Sequence, residues 1–182
     1  MLYKSKTYPQ GDDAMATKPI AIDHVNIFVR DAARSHAWYT DVFAFHTQDT
    51  FNFPGTDKLR AVFLSCDPDH AHDIALFAVG EDAPLQQKGQ VGLNHVAWRM
   101  ESLDDLAAMY HRLKAKGVPF TVSDHTISIG IYFDDPDGNG LEVYYEQPRS
   151  EWHREKPFSE KGGKGRFPGP WSDSLRPAML AT

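Results

Sequence analysis

Three side chains of this 182-residue sequence, His24, His95 and Glu142, are of the types that hold a divalent transition ion. Two imidazoles and one carboxylate form the facial set that binds iron(II) and leaves coordination positions open. Zinc accepts the same donors, so donor type alone leaves the ion unnamed. The three stand 71 and then 47 residues apart, which matches no local metal motif such as a paired-histidine helix. They can act together only if distant strands bring them to one cavity. A lone histidine on a strand is ordinarily structural, so the weight falls on the elements that would gather these three.

Those elements come from an internal repeat. "DHVNIFVRDAARSHAWYTDV" (23–42) lies over "NHVAWRMESLDDLAAMYHRL" (94–113) without a gap, pairing His24 with His95 and Tyr39 with Tyr110. Each copy opens with a strand: Val25, Ile27 and Val29 alternate with His24, Asn26 and Phe28, and Val96, Trp98 and Met100 with His95, Ala97 and Arg99. A helix follows, capped by Asp31 in the first copy and by a Ser102/Asp105 capping box in the second. Leu103, Leu106, Tyr110 and Leu113 give the second helix an apolar face, and Gly117 and Pro119 end it. Three strands should then follow in each copy, over 46–53, 59–66 and 72–79, and over 119–124, 127–134 and 140–147. "DPDGNG" (135–140) is a turn that makes the last two a hairpin.

The expected fold is α+β: two βαβββ modules, about 20–88 and 89–148, forming a cupped mixed sheet with helices on the convex side. The apolar phase of each strand should pack on the helices and the other phase should line the cup. On that phase lie His24, Asn26, His95, Ser128, Gly130, Tyr132, Glu142 and Tyr144. "HAHDIALF" (70–77) begins the last strand of the first copy. An ungapped shift of 71 carries Glu142 back to Ala71, beside His72. That places His72 near the set, where a neutral histidine suits proton transfer near pH 7. The plain alternative is that His72 only starts a core strand.

"DHVNIFV", "NHVAWRM", "HDIALF" and "DHTISIGIYFDDPDGNGLEVYYE" together resemble the vicinal-oxygen-chelate superfamily, which unites glyoxalases, bleomycin-resistance proteins and dioxygenases. Within it they look like the one-domain type I extradiol catechol dioxygenases, over about residues 20–148. The final block is the specific part: a histidine, a tyrosine, "DP-D-GN", and a glutamate ten residues after the tyrosine. The resemblance implies that His24, His95 and Glu142 ligate iron(II), with manganese(II) as the alternative ion. It implies that His72 is the acid/base histidine beside them, and that His125 and Tyr132 hydrogen-bond substrate and intermediate oxygens. The implied reaction inserts both atoms of O2 into a catechol, a 3-substituted catechol or 2,3-dihydroxybiphenyl, opening the ring next to the diol. The "TIS" after His125 departs from the polar or acidic residue many members carry there.

Three other readings share the fold. Fosfomycin-resistance thiol transferases use two histidines and a glutamate, usually with manganese, and would not need "HDIALF" or Tyr132 in these places. Glyoxalase I needs a fourth protein ligand, for whose glutamate His72 is a poor match. A metal-free binding module of the bleomycin-sequestering kind should lack an intact ligand set.

The totals are those of an ordinary globular protein, with 41% hydrophobic and 24% charged residues. A net charge of −6 argues against nucleic acid and anionic membrane surfaces as partners. A single cysteine, Cys66, excludes an internal disulfide and a cysteine zinc site, and suits a cytoplasmic setting. No apolar run approaches the roughly 20 residues a membrane helix needs. Residues 1–19 read as a loosely ordered leader with a second start at Met15, and residues 149–182 as a C-terminal arm rich in charge, glycine and proline. Four large aromatics in the arm suggest that it lies over the domain, the cavity mouth or a partner subunit, and a homo-oligomer is expected.

Overall fold

Alternation of apolar and polar residues puts a strand at the head of each module, and each strand hands the chain to a capped helix. The computed structural model describes residues 19, 21–87, 89–125 and 127–152. The leader, apart from Pro19, and the arm beyond Trp152 lie outside the described residues. The first module contains β1 (Val25–Val29), α1 (Ala32–Phe43), β2 (His46–Asn52), β3 (Leu59–Ser65) and β4 (Ile74–Ala78). The second contains β5 (Val96–Arg99), α2 (Leu103–Ala115), β6 (Phe120–Asp124), β7 (Ser128–Asp134) and β8 (Gly140–Glu146). A short 3-10 helix, Arg149–Glu151, follows.

Each module forms a four-stranded mixed sheet, ordered β1-β4-β3-β2 and β5-β8-β7-β6. The first strand pairs in parallel with the last, and the other pairs are antiparallel. The fold is the expected α+β pairing of two βαβββ modules, with each module's mixed sheet a hydrogen-bonded ladder of its own.

Both helices start as their sequences dictate. The Asp31 side chain accepts the Arg34 N–H at 2.9 Å, and Ser102 and Asp105 form the reciprocal capping box. The helices bury Tyr39, Val42, Leu106 and Leu113 against Ile27, Val29, Val62, Leu64, Ile74, Leu76, Ile129, Ile131, Leu141 and Val143. Val25, Ile27 and Val29 of β1 and Val96 and Trp98 of β5 therefore face the core, as does the phase of β7 and β8 that carries Ile131 and Val143. The opposite phase is left to the site.

The modules join in two ways. Aromatic rings of α1 reach into the second module, with Phe43 5.1 Å from Trp98 and Trp38 6.4 Å from Phe133. The β7–β8 turn also inserts two buried carboxylates against α1. Asp137 accepts the Arg30 N–H at 3.0 Å and pairs with the Arg34 guanidinium. Asp135 accepts Tyr39 Oη–H at 3.3 Å and the N–H groups of Asp137 and Asn139 at 2.8 and 2.9 Å. Among the described residues, no helix is long and apolar enough to cross a membrane.

Candidate functional site

His95 precedes β5 directly and Glu142 sits in β8, paired with Ala97 of β5, so the two lie on the same side of adjacent strands, two residues apart in register. Their contact is direct: His95 Nε2 lies 3.0 Å from Glu142 Oε2. Tyr132, opposite Glu142 on β7, places its ring 5.5 Å from that of His95, edge to face. His125 Nε2 lies 2.8 Å from the Tyr132 hydroxyl oxygen. Burial raises the Tyr132 pKa, and a hydrogen bond to the Glu142 carboxylate raises it further. Tyr132 therefore keeps its proton and acts as a donor.

Three further residues shape this corner. Asn94 Oδ1 lies 2.6 Å from His95 Nδ1, which fixes the proton on Nδ1 and frees Nε2 as a ligand atom. A Cβ at Gly130 would lie 2.2 Å from Glu142 Oε1 and 2.9 Å from the Tyr132 ring. A Cβ at Gly140 would lie 2.3 Å from the Asn94 carbonyl oxygen and 3.3 Å from His95 Cβ. Gly130 shares the site's strand phase in the sequence, but only coordinates reveal the crowding. Asn94 carries no periodic signal; its one clue is a polar acceptor next to the histidine.

The other candidates gather in the first module. His24 precedes β1 and His72 precedes β4, and their rings stand 4.3 Å apart. Asp23 Oδ2 lies 3.6 Å from His24 Nδ1, an acceptor directly before the histidine as in the second module. His70 lies 3.4 Å from Asp23 and 3.2 Å from Asp73. Burial lowers the His72 pKa and the neighbouring His24 adds to the effect, so His72 is neutral at pH 7. A cavity of about 440 Å³ between the modules is lined by Asn26, Phe28, Arg30, Leu93, Asn94 and Gly140. None of the six sequence candidates lines it.

The donors suit a divalent ion. Two atoms each about 2.1 Å from one ion, with bonds at a right angle, stand about 3 Å apart. His95 and Glu142 show that separation. Among the described residues, however, no group of three or more His, Cys, Asp or Glu side chains converges on one point. One chain thus brings two donors together and keeps His24 beside His72 in the other sheet.

The register also replaces the shift of 71 for the last strands. Val25 pairs with Ile74 and Val96 with Leu141, so the counterpart of Glu142 is Ala75, not the neighbour of His72.

A family model described as the Glyoxalase/Bleomycin resistance protein/Dioxygenase superfamily matches residues 21–143. The chain belongs to that superfamily. Among superfamily relatives, it is 29% identical over 139 residues to a catechol-2,3-dioxygenase of Bacillus subtilis (strain 168), covering 74% of this chain and 45% of that protein. It is 34% identical over 108 residues to biphenyl-2,3-diol 1,2-dioxygenase 3 of Rhodococcus globerulus, covering 58% of this chain and 53% of that protein. The chain spans about half the length of these curated relatives. A glyoxylase/bleomycin resistance protein/dioxygenase domain from Frankia sp. EAN1pec aligns with a TM-score of 0.60 and 23% identity, covering 71% of this chain and all of that one. That likeness shows the superfamily fold.

Proposed function

We propose that this protein is an extradiol dioxygenase that opens a catechol-type ring with O2, using iron(II), with manganese(II) as the alternative ion. One observation carries the reading: His95 and Glu142 meet at ligand spacing, with the proton-bearing Tyr132 and its partner His125 alongside. Curated relatives named catechol and biphenyl-diol dioxygenases support the substrate class. His24 is the third donor in this reading. Because one chain holds it apart from the other two, a second copy supplies it, and the working unit is a homo-oligomer.

Bound iron would hold the diol and O2 side by side and carry electrons between them. The protein groups handle protons and charge. Neutral His72 accepts a diol hydroxyl proton on its imidazole nitrogen and returns it later in the cycle. Tyr132 Oη–H donates a hydrogen bond to the oxygen that gains negative charge, and His125 Nε2 holds Tyr132 in place. Asn94 holds the His95 tautomer, so that Nε2 would be the atom that ligates the ion.

The test is anaerobic loading with iron(II), addition of catechol and 3-substituted catechols, and then air. A yellow ring-opened product is expected, lost in His95→Ala. Bound metal without product across the panel defeats the reading. His72→Asn should retain iron and lower turnover by about 10²- to 10⁴-fold. Loss of iron in that variant would make His72 a ligand instead.

A further inference from the structure

His72 moves the proton in the reaction proposed above, yet among the described residues its imidazole makes no hydrogen bond. It touches two rings, with centroids 4.3 Å away at His24 and 5.1 Å away at Phe63. The aim of the ring is therefore set by the backbone on either side of it. On the C-terminal side the hold is plain. The Asp73 N–H donates to the Leu64 carbonyl at 2.8 Å, and the Asp73 carbonyl accepts the Val25 N–H at 3.0 Å. Its carboxylate accepts the Ser65 hydroxyl and the Cys66 N–H, each at 2.8 Å. The N-terminal side is the β3–β4 loop, residues 66–73, which belongs to no strand ladder.

Gln48 holds that side. Its side-chain amide nitrogen donates to three loop carbonyls, those of Asp67 and Pro68 at 3.1 Å and that of His70 at 2.7 Å. An amide has two hydrogens, so the three acceptors share them. The shortest bond goes to the carbonyl two residues before His72. A break in sheet register puts Gln48 in place. Thr47 pairs with Leu64 and Asp49 with Phe63, which leaves Gln48 as the extra residue of a β-bulge. A bulge re-aims the side chain it carries. β2 is an edge strand, and Gln48 is its only residue that is not exposed. The corresponding strand of the second module, β6, pairs with β7 without a break from Phe120 to Asp124. The β7–β8 connection in that module carries no histidine. The bulge thus occurs in the module whose loop delivers one.

We infer that Gln48 is a positioning residue for the reaction: its amide clamps the 66–73 loop and so fixes where the His72 imidazole lies beside His24. The part given to His72 rests on the dioxygenase reading; the clamp does not. Gln48 touches neither diol nor ion and acts only through the loop. Without it the His70 carbonyl and Ala71 are released, and the ring loses its aim. Proton transfer then slows, while the groups that bind ion and diol stay in place.

Two variants test this. Gln48→Glu keeps the length of the side chain and exchanges the donor for an acceptor, so that a carboxylate faces three carbonyls. Gln48→Ala removes the group, and at a half-buried position of an edge strand it serves if the charged variant fails to fold. Both should lower kcat by about 10- to 100-fold, a share of what a well-placed acid–base group supplies, with KM for catechol and Kd for iron(II) unchanged. In a His72→Asn background the same substitutions should lower kcat no further, because the group they misplace is gone. A loss that persists at full size in that background makes Gln48 a purely structural residue and overturns the inference. An unchanged kcat in both variants overturns it, and so does weakened iron(II) binding, which would assign the effect to His24. A crystal structure of metal-free Gln48→Glu gives a reading independent of turnover. The His72 ring should leave its place 4.3 Å from His24, and an unmoved ring overturns the inference. If wild type opens no catechol, the dioxygenase reading falls, and the position of that ring still decides the clamp.

Discussion

The side-chain oxygen of Asn94 sits 2.6 Å from Nδ1 of the adjacent His95. It decides which imidazole nitrogen is free. Partners of this kind, behind a ligating histidine, typically change metal affinity by about 10- to 100-fold when removed. Asn94→Leu should weaken iron(II) binding by that factor while leaving the melting temperature close to wild type. Titration with iron(II) under nitrogen checks it, and an unchanged dissociation constant would mean that the tautomer is set elsewhere.

Gly130 is required by Glu142. A methyl group there would sit 2.2 Å from the carboxylate oxygen, far inside contact distance. Gly130→Ala should push Glu142 away from His95 and cost about 1–3 kcal/mol, as other overpacked sites do. Thermal unfolding should show the loss, and iron content after loading should fall with it. A crystal structure of the variant with Glu142 still 3.0 Å from His95 would defeat this account.

Asp137 ties the modules together. It is 6% exposed and accepts from the Arg30 backbone while facing the Arg34 guanidinium. Asp137→Asn removes the charge and leaves these donors poorly matched. The expected cost is about 1.5–3 kcal/mol, the range for hydrogen bonds to a charged group. Urea unfolding of the single and the Arg34→Ala double variant measures the coupling. If the two substitutions add without coupling, the pair is incidental.

Asp73 predicts a pH dependence. Burial pushes its pKa up, but hydrogen bonds from the Cys66 backbone N–H and the Ser65 hydroxyl, each 2.8 Å, outweigh this and hold it below the usual value. The folded state therefore binds fewer protons than the unfolded state between the two values. The stabilisation is complete above the ordinary aspartate value of about 3.9 and is lost as pH falls through the lower folded value. Asp73→Asn should be less stable than wild type at pH 7, with the gap closing below about pH 4. A gap that is constant with pH would remove the ionisation argument.

Much of this fold is written in local pattern. The period of two in "HVNIFV" and "HVAWRM", the caps at Asp31 and Ser102, and the phase of "ISIGIYF" are short-range features, and the structure keeps them. What depends on counting across loops was less legible. Ile74 follows Val25 by 49 residues, while Leu141 follows Val96 by 45, because the loops of the first copy are longer. A shift fixed at the first strand has drifted by the last one, which is why His72 fell opposite Glu142 in sequence and Ala75 does in space. "DPDGNG" read as a turn and is one, but its two aspartates also bind α1 of the other module. Nothing local signals that role, since a turn aspartate and an inter-module one look alike in a string of letters.

The turn that docks on α1 runs directly into β8, the strand that bears Glu142. Gly140, its first residue, is already wedged against Asn94 and His95. Any tilt of one half of the molecule against the other therefore pulls on the same stretch of backbone that sets the aim of the carboxylate. Substitutions at the seam, remote from any reacting atom, would be read out as altered chemistry in addition to the loss of stability.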